Sequence, residues 1–231
     1  MRRPIVETDC GVTVIGAGET PGSVLVQALI NAPILVAADG GARRALELGY
    51  MPTAVIGDLD SLDSSTASAF PGERVHRISE QETTDFDKCL RSIRAPLILA
   101  VGFTGARLDH ELAAFSALVT HARRPIVMLG PEDVAFVAPR EFSLALDPGT
   151  RLSLFPLAPV KGTSRGLRWP IEGLRFAPGR RIGTSNQAVA RQVALTFTNR
   201  RMLVLLPRHC LAAAIRAVAP VFAARSAVRD G

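Results

Sequence analysis

Four short segments carry side chains whose types and spacing could do metal and phosphate chemistry. Gly57-Asp58-Leu59-Asp60-Ser61 sets two carboxylates two residues apart. On an extended chain they project to one side, and a cation between them relieves their repulsion. Hard oxygen ligands of this kind suit Mg²⁺, which keeps several waters and shares itself with substrate phosphates. The same residues also describe a solvated turn in which Asp60 or Ser61 caps the next helix, and spacing leaves both readings open. Gly102-Phe103-Thr104-Gly105-Ala106-Arg107-Leu108-Asp109-His110 reads as a phosphate cradle. In it a loop bearing Thr104 and Gly105, a helix start and the Arg107 guanidinium converge.

Asp39 in Ala38-Asp39-Gly40-Gly41-Ala42 follows an apolar run and opens a helical one. It either accepts hydrogen bonds from a ligand amine or caps that helix, while Gly40 and Gly41 let a ligand approach the backbone. In Glu82-Thr83-Thr84-Asp85-Phe86-Asp87-Lys88, Thr83 or Thr84 suits an N-cap and the acids favour the helix dipole. Lys88 is either a point charge on phosphate or a surface residue. Gly16-Ala17-Gly18-Glu19-Thr20-Pro21-Gly22 places its third glycine one position late for a dinucleotide fingerprint, and no GxxxxGK[ST] occurs.

These segments need a scaffold, and the apolar pattern supplies one. Runs at 12–15, 33–38, 54–56, 96–101 and 125–129 read as buried strands. Helical spacing at 22–31, 41–48, 85–93 and 108–121 alternates with them, so the expected sheet is mostly parallel and covered on both faces. Loops after the carboxyl ends of such strands are where open α/β sheets bind ligands, and all four segments fall there. Beyond residue 132 the pattern becomes that of half-buried strands at 134–137, 142–146, 151–156, 192–197 and 202–206, with a closing helix at 211–224. The expected fold class is α/β: a Rossmann-like three-layer domain over 1–131, then a smaller all-β sandwich domain over 132–231.

Hydrophobic residues form 48% of the 231 and charged ones 21%, which excludes a disordered chain. No apolar run approaches the roughly 20 residues of a membrane span, and the N-terminus lacks a signal-peptide stretch, so the expectation is a cytoplasmic protein. Cys10, Cys89 and Cys210 show no zinc spacing and suit a reducing compartment. The net charge of +6 is almost all arginine in scattered pairs without interleaved aromatics, which argues against nucleic acid. A positive field would equally draw a polyphosphate.

Taken in order, the four clusters resemble the thiamine pyrophosphokinase family. That family's DGGAN, GDxDS, TDxxKAL and GGRxDH segments stand here as Asp39-Gly40-Gly41-Ala42-Arg43, Gly57-Asp58-Leu59-Asp60-Ser61, Thr84-Asp85-Phe86-Asp87-Lys88-Cys89-Leu90 and Gly105-Ala106-Arg107-Leu108-Asp109-His110. Gly166-Leu167-Arg168-Trp169 resembles its GLKW, and Thr184-Ser185-Asn186 its STSN. The resemblance implies an α/β domain joined to a β-sandwich in a homodimer, with ATP and thiamine as substrates. Asp58, Asp60 and Asp85 would hold Mg²⁺ against the ATP phosphates. Arg107 and Asp109 would belong to the nucleotide loop, with Lys88 nearby. Asp39 would face the thiamine pyrimidine, Trp169 would stack on its ring, and Ser185 and Asn186 would complete the pocket across the dimer interface. Ala106, Gly183, Arg43 and Leu59 depart from the family pattern without removing a carboxylate. The rival expectations are a pyrophosphokinase for another hydroxymethyl heterocycle, such as a pterin, and a non-catalytic thiamine- or nucleotide-binding protein.

Overall fold

Where the apolar runs are continuous, strands form and are buried on both faces; where they alternate, one face stays wet. The computed structural model describes residues 3–61, 64–105 and 107–229. The chain divides into two compact units, Met1–Ala117 with Met128–Pro131, and Leu118–Val127 with Glu132–Gly231.

The first unit and its boundary run β1 (Val6–Glu7), β2 (Val12–Ile15), α1 (Gly22–Asn31), β3 (Ile34–Ala38), α2 (Gly41–Glu47), β4 (Ala54–Gly57), α3 (Ser64–Ser68), β5 (Val75–Arg77), α4 (Asp85–Ser92), β6 (Ile93–Arg94), β7 (Ile98–Val101), α5 (Leu108–Thr120) and β8 (Ile126–Leu129). Strands β7, β2, β3, β4 and β5 lie side by side in that order and pair in parallel. Every residue of β2, β4 and β7 is buried, as expected of strands covered on both faces. Helices α1, α2 and α4 pack on them. In α4, Phe86, Cys89 and Leu90 face inward. Their spacing of three and four residues makes one apolar stripe.

The second unit continues with β9 (Asp133–Val137), β10 (Glu141–Ala145), β11 (Arg151–Pro156), β12 (Val160–Arg165), β13 (Arg175–Phe176), β14 (Gly183–Gln187), β15 (Gln192–Phe197), β16 (Met202–Pro207), α6 (Leu211–Val218) and α7 (Pro220–Arg229). Its strands pair antiparallel in the orders β14-β11-β16-β9 and β10-β15-β12-β13. Strands β10 and β15 alternate buried and exposed residue by residue. Phe142 of β10 meets Phe136 of β9 edge-on at 5.9 Å and Phe197 of β15 at 6.4 Å.

Two expectations about elements change. The closing helix is two helices: Pro220 lacks the N–H to continue α6, and it opens α7 at the position where proline is tolerated. Strands β12 and β14 were not anticipated because Val160-Lys161-Gly162-Thr163-Ser164-Arg165 and Gly183-Thr184-Ser185-Asn186-Gln187 are mostly polar. Their ladders with β15 and β11 hold them instead.

Candidate active site

The loops leaving β2, β3, β4 and β7 bring Gly16, Asp39, Asp58 and Gly102 to the wall of one cavity of ≈ 460 Å³. This is the carboxyl end of the parallel strands, at the point where strand order reverses between β2 and β7. The glycines here serve contact. A Cβ on Gly16 would stand 2.5 Å from the Gly102 carbonyl oxygen, and one on Gly102 would stand 2.7 Å from that of Gly16. The Gly16–Gly22 segment is thus a packing loop that lines the cavity, although it fails as a dinucleotide fingerprint. Phe86 and Phe103, ring centroids 4.1 Å apart, line the same cavity.

Asp58 and Asp60 do approach, but not along an extended chain. Leu59 has φ 67°, a left-handed turn that a branched side chain rarely adopts. The turn lets the Asp60 N–H donate to Asp58 Oδ1 at 3.3 Å. Asp39 joins them: one oxygen each from Asp39, Asp58 and Asp60 lie within 4.8 Å of one another. Asp39 does not cap α2, whose N-cap is Gly40 with no side-chain bond. At φ 41° its side chain turns across to the loop after β4, where Oδ2 accepts the Ser61 N–H at 3.2 Å. Its buried Oδ1 has no hydrogen-bond partner. Burial pushes the Asp39 carboxyl up, Ser61 opposing and Asp85 and Asp60 adding to the rise. An all-oxygen donor set with one buried, unpartnered oxygen fits a hard divalent cation.

Asp85 opens α4, whose N-cap Thr84 accepts the Asp87 N–H at 3.3 Å. Asp85 Oδ1 accepts from the Asp58 N–H at 3.4 Å and from Lys88 Nζ at 3.0 Å. Lys88 Nζ also donates to Asp58 Oδ2 at 2.8 Å. Lys88 is therefore an internal counter-ion, 1% exposed, and not a surface residue. Hydrogen bonding to Lys88 holds the Asp58 carboxyl below its usual range. Burial opposes the Lys88 charge, yet bonds to Asp58 and Asp85 keep its ammonium above its usual value. Thr83 does not cap. It joins Glu80, just upstream, and Arg91 in the last turn of α4 in a network.

Arg107 makes a bidentate pair with Asp109, Nε to Oδ1 at 3.2 Å and Nη2 to Oδ2 at 2.7 Å. Both side chains are exposed, and Arg107 lines the cavity. Gly105, at φ 82°, donates its N–H to Glu111 at 3.2 Å. Thr104 is half-buried in the same loop, while Ala106 lies outside the described residues.

In the second unit Trp169 and Asn186 meet. The Trp169 N–H donates to Asn186 Oδ1 at 3.2 Å, and Asn186 Nδ2 donates to the Trp169 carbonyl at 2.7 Å. Ser185 beside it is exposed at φ 61° and donates its N–H to Ser153 Oγ at 3.0 Å.

Both halves of the chain match models of one family: the thiamin pyrophosphokinase catalytic domain over residues 25–129 and the thiamin pyrophosphokinase vitamin B1 binding domain over 141–204. The chain belongs to the thiamin pyrophosphokinase family. It is 28% identical over 200 residues to thiamine pyrophosphokinase 1 of Oryza sativa subsp. japonica, covering 72% of this chain and 76% of that one. To thiamin pyrophosphokinase 1 of Caenorhabditis elegans it is 25% identical over 214 residues, 83% and 87% of the two chains. Its fold is that of thiamin pyrophosphokinase from Geobacillus thermodenitrificans, with TM-score 0.69, 24% identity and 85% and 96% coverage. It is likewise that of the Candida albicans protein, with TM-score 0.73, 15% identity and 90% and 94% coverage.

Within this member of the thiamin pyrophosphokinase family, the sequence reading missed Gln81 at the cavity. Gln81 donates to Asp58 Oδ2 at 3.3 Å and lines the wall, but nothing in its neighbours marks it. That Asp39 stands with Asp58 and Asp60 in one carboxylate group was likewise not read from the sequence. Only the pairing of β3 with β4 puts those segments together.

Proposed function

We propose that this protein transfers a diphosphoryl group from ATP to the hydroxyl of thiamine, giving thiamine diphosphate and AMP. The observation that carries the reading is the meeting of Asp39, Asp58, Asp60 and Lys88 at the carboxyl ends of parallel strands in a chain of this family. In the proposed step the thiamine hydroxyl oxygen bonds to the β-phosphorus in line. The bond from that phosphorus to the bridging oxygen breaks, and AMP leaves with the oxygen.

The donor set supports Mg²⁺ held by Asp58 and Asp60, with Asp39 contributing its unpartnered oxygen and Asp85 standing beside them. Such an ion, when bound, neutralises phosphate charge. The remaining work falls to positioning and charge. Lys88 holds Asp58 and Asp85 in place, and Arg107, oriented by Asp109, supplies a cation at the cavity wall. No single general base is assigned in this reading, and the hydroxyl proton leaves to water or to a carboxylate at the cavity wall. Thr104, Gly105 and Gly40 are the backbone positions for the nucleotide in this reading. Trp169, Ser185 and Asn186 belong to the acceptor side.

The reading also takes residues 1–131 as the Rossmann-like, three-layer ATP domain. Residues 132–231 form the sandwich domain for thiamine and dimerisation, in a cytoplasmic homodimer. No helix among the described residues is long and apolar enough to cross a membrane.

An AMP-release assay over a panel of hydroxyl acceptors, with and without Mg²⁺, tests the proposal. Thiamine should be the preferred acceptor and activity should vanish without the ion. Turnover of a hydroxymethylpterin in place of thiamine, or binding without AMP release, would overturn it.

A further inference from the structure

Trp169, the sole tryptophan, is 53% exposed on the loop after β12, so its ring needs a support that its own packing does not give. Asn186, 6% exposed on β14, gives it. The carboxamide pairs with the Trp169 main chain in both directions, like a peptide group in a β-ladder. Asn186 Oδ1 also accepts the Gln187 N–H at 2.8 Å. That oxygen is engaged twice over within the chain.

The rest of the loop is stitched to the same strand. The Arg168 N–H donates to the Gln187 carbonyl at 2.8 Å, and Leu167 bridges to Ala188. The Arg168 guanidinium lies 4.9 Å from the Trp169 ring centroid and donates to Gln187 Oε1 at 3.3 Å. A cation thereby covers one face of the indole and leaves the other for an aromatic ring. Pro170 disfavours the helical backbone region for Trp169 and removes one backbone donor.

We infer that Asn186 is a positioning residue: it fixes the Trp169 main chain so that the indole, backed by Arg168, presents one preformed stacking face to the acceptor ring. This rests on the proposed thiamine reading only for the identity of that ring. Sequence resemblance puts Asn186 in the pocket as a ligand contact; the hydrogen bonds give it an indirect role.

The test is a cycle of Trp169→Ala, Asn186→Ala and the double variant, with Asn186→Asp as a second probe. Asn186→Asp keeps the acceptor for Trp169 N–H and loses the donor to its carbonyl, and it carries the test should Asn186→Ala fail to fold. Asn186→Ala should raise the thiamine KM about ten-fold, the loss of one stacking contact, and leave the ATP KM unmoved. In the Trp169→Ala background it should add nothing. Fluorescence anisotropy of the sole tryptophan, read without ligand, should fall in both Asn186 variants. Additive effects in the double variant, or unchanged anisotropy, overturn the inference. An unchanged thiamine KM in Trp169→Ala alone overturns the placement of the acceptor ring on Trp169, while the anisotropy still decides the role of Asn186.

Discussion

Lys88 Nζ lies 2.8 Å from Asp58 Oδ2, a bond between residues thirty positions apart that ties the start of α4 to the end of β4. A second bond to Asp85 at 3.0 Å makes the ammonium a bridge between two carboxylates. Lys88→Met removes the bridge and leaves both acids without their cation. Breaking a fully buried pair costs about 3–5 kcal/mol, and since Asp58 and Asp85 stay 11% and 29% exposed the loss here should be smaller, about 1.5–3 kcal/mol. Urea denaturation should show a loss of that order. A variant as stable as the parent would mean that the pair contributes nothing to the fold.

Asp60→Asn should keep the fold and lose rate, while Asp58→Asn should lose rate together with the part of the stability that its bond to Lys88 supplies. Removing one preorganised electrostatic group at a reacting centre costs about 10²–10³-fold. AMP release at saturating magnesium, set beside a melting curve, separates the two effects. Full activity in either variant would remove the metal assignment.

Leu59 is held at φ 67° so that Asp58 and Asp60 can turn toward each other. Left-handed backbone costs a residue with a Cβ about 1–2 kcal/mol, and glycine escapes that cost while losing more entropy on folding. Leu59→Gly should therefore change stability by less than about 1 kcal/mol. Leu59→Val, branched at Cβ, should destabilise by about 1–3 kcal/mol and lower activity. Chemical denaturation of the two variants reads the difference.

Asp39 and Glu80 should give pH dependences of opposite sign. Asp39 has its pKa raised in the folded protein, above an ordinary 3.8, chiefly by burial. Its contribution to stability is present below that ordinary value and lost as pH rises through the folded one. Asp39→Asn should therefore melt higher at neutral pH while losing activity. Glu80 is depressed from 4.5 to about 2, first by Thr83 and then by Arg91. Its stabilisation is complete above 4.5 and fades as pH falls toward about 2, so Glu80→Gln should flatten the acid limb of a stability curve over that window.

Much of the first unit was legible in the sequence because strand and helix periods are local. The helix at Gly22–Asn31 and the strand at Val12–Ile15 fall where their patterns placed them. Polar strands such as β14 were not legible, since a ladder to a distant partner rather than their own side chains stabilises them.

At the site, sequence by itself determined which residue types were available: four aspartates in three loops, one lysine, one tryptophan. It could not determine their partners. Local spacing left Asp39 either a helix cap or a ligand contact and Lys88 either a phosphate contact or a surface residue, and only the family resemblance put Asn186 in the pocket. The tertiary structure turned Asp39 toward Ser61, buried Lys88 between Asp58 and Asp85, and closed Asn186 on the main chain of Trp169. A side chain's period is set by its neighbours along the chain, but its charge and hydrogen-bonding capacity are settled by whatever residue folding brings within about 3 Å.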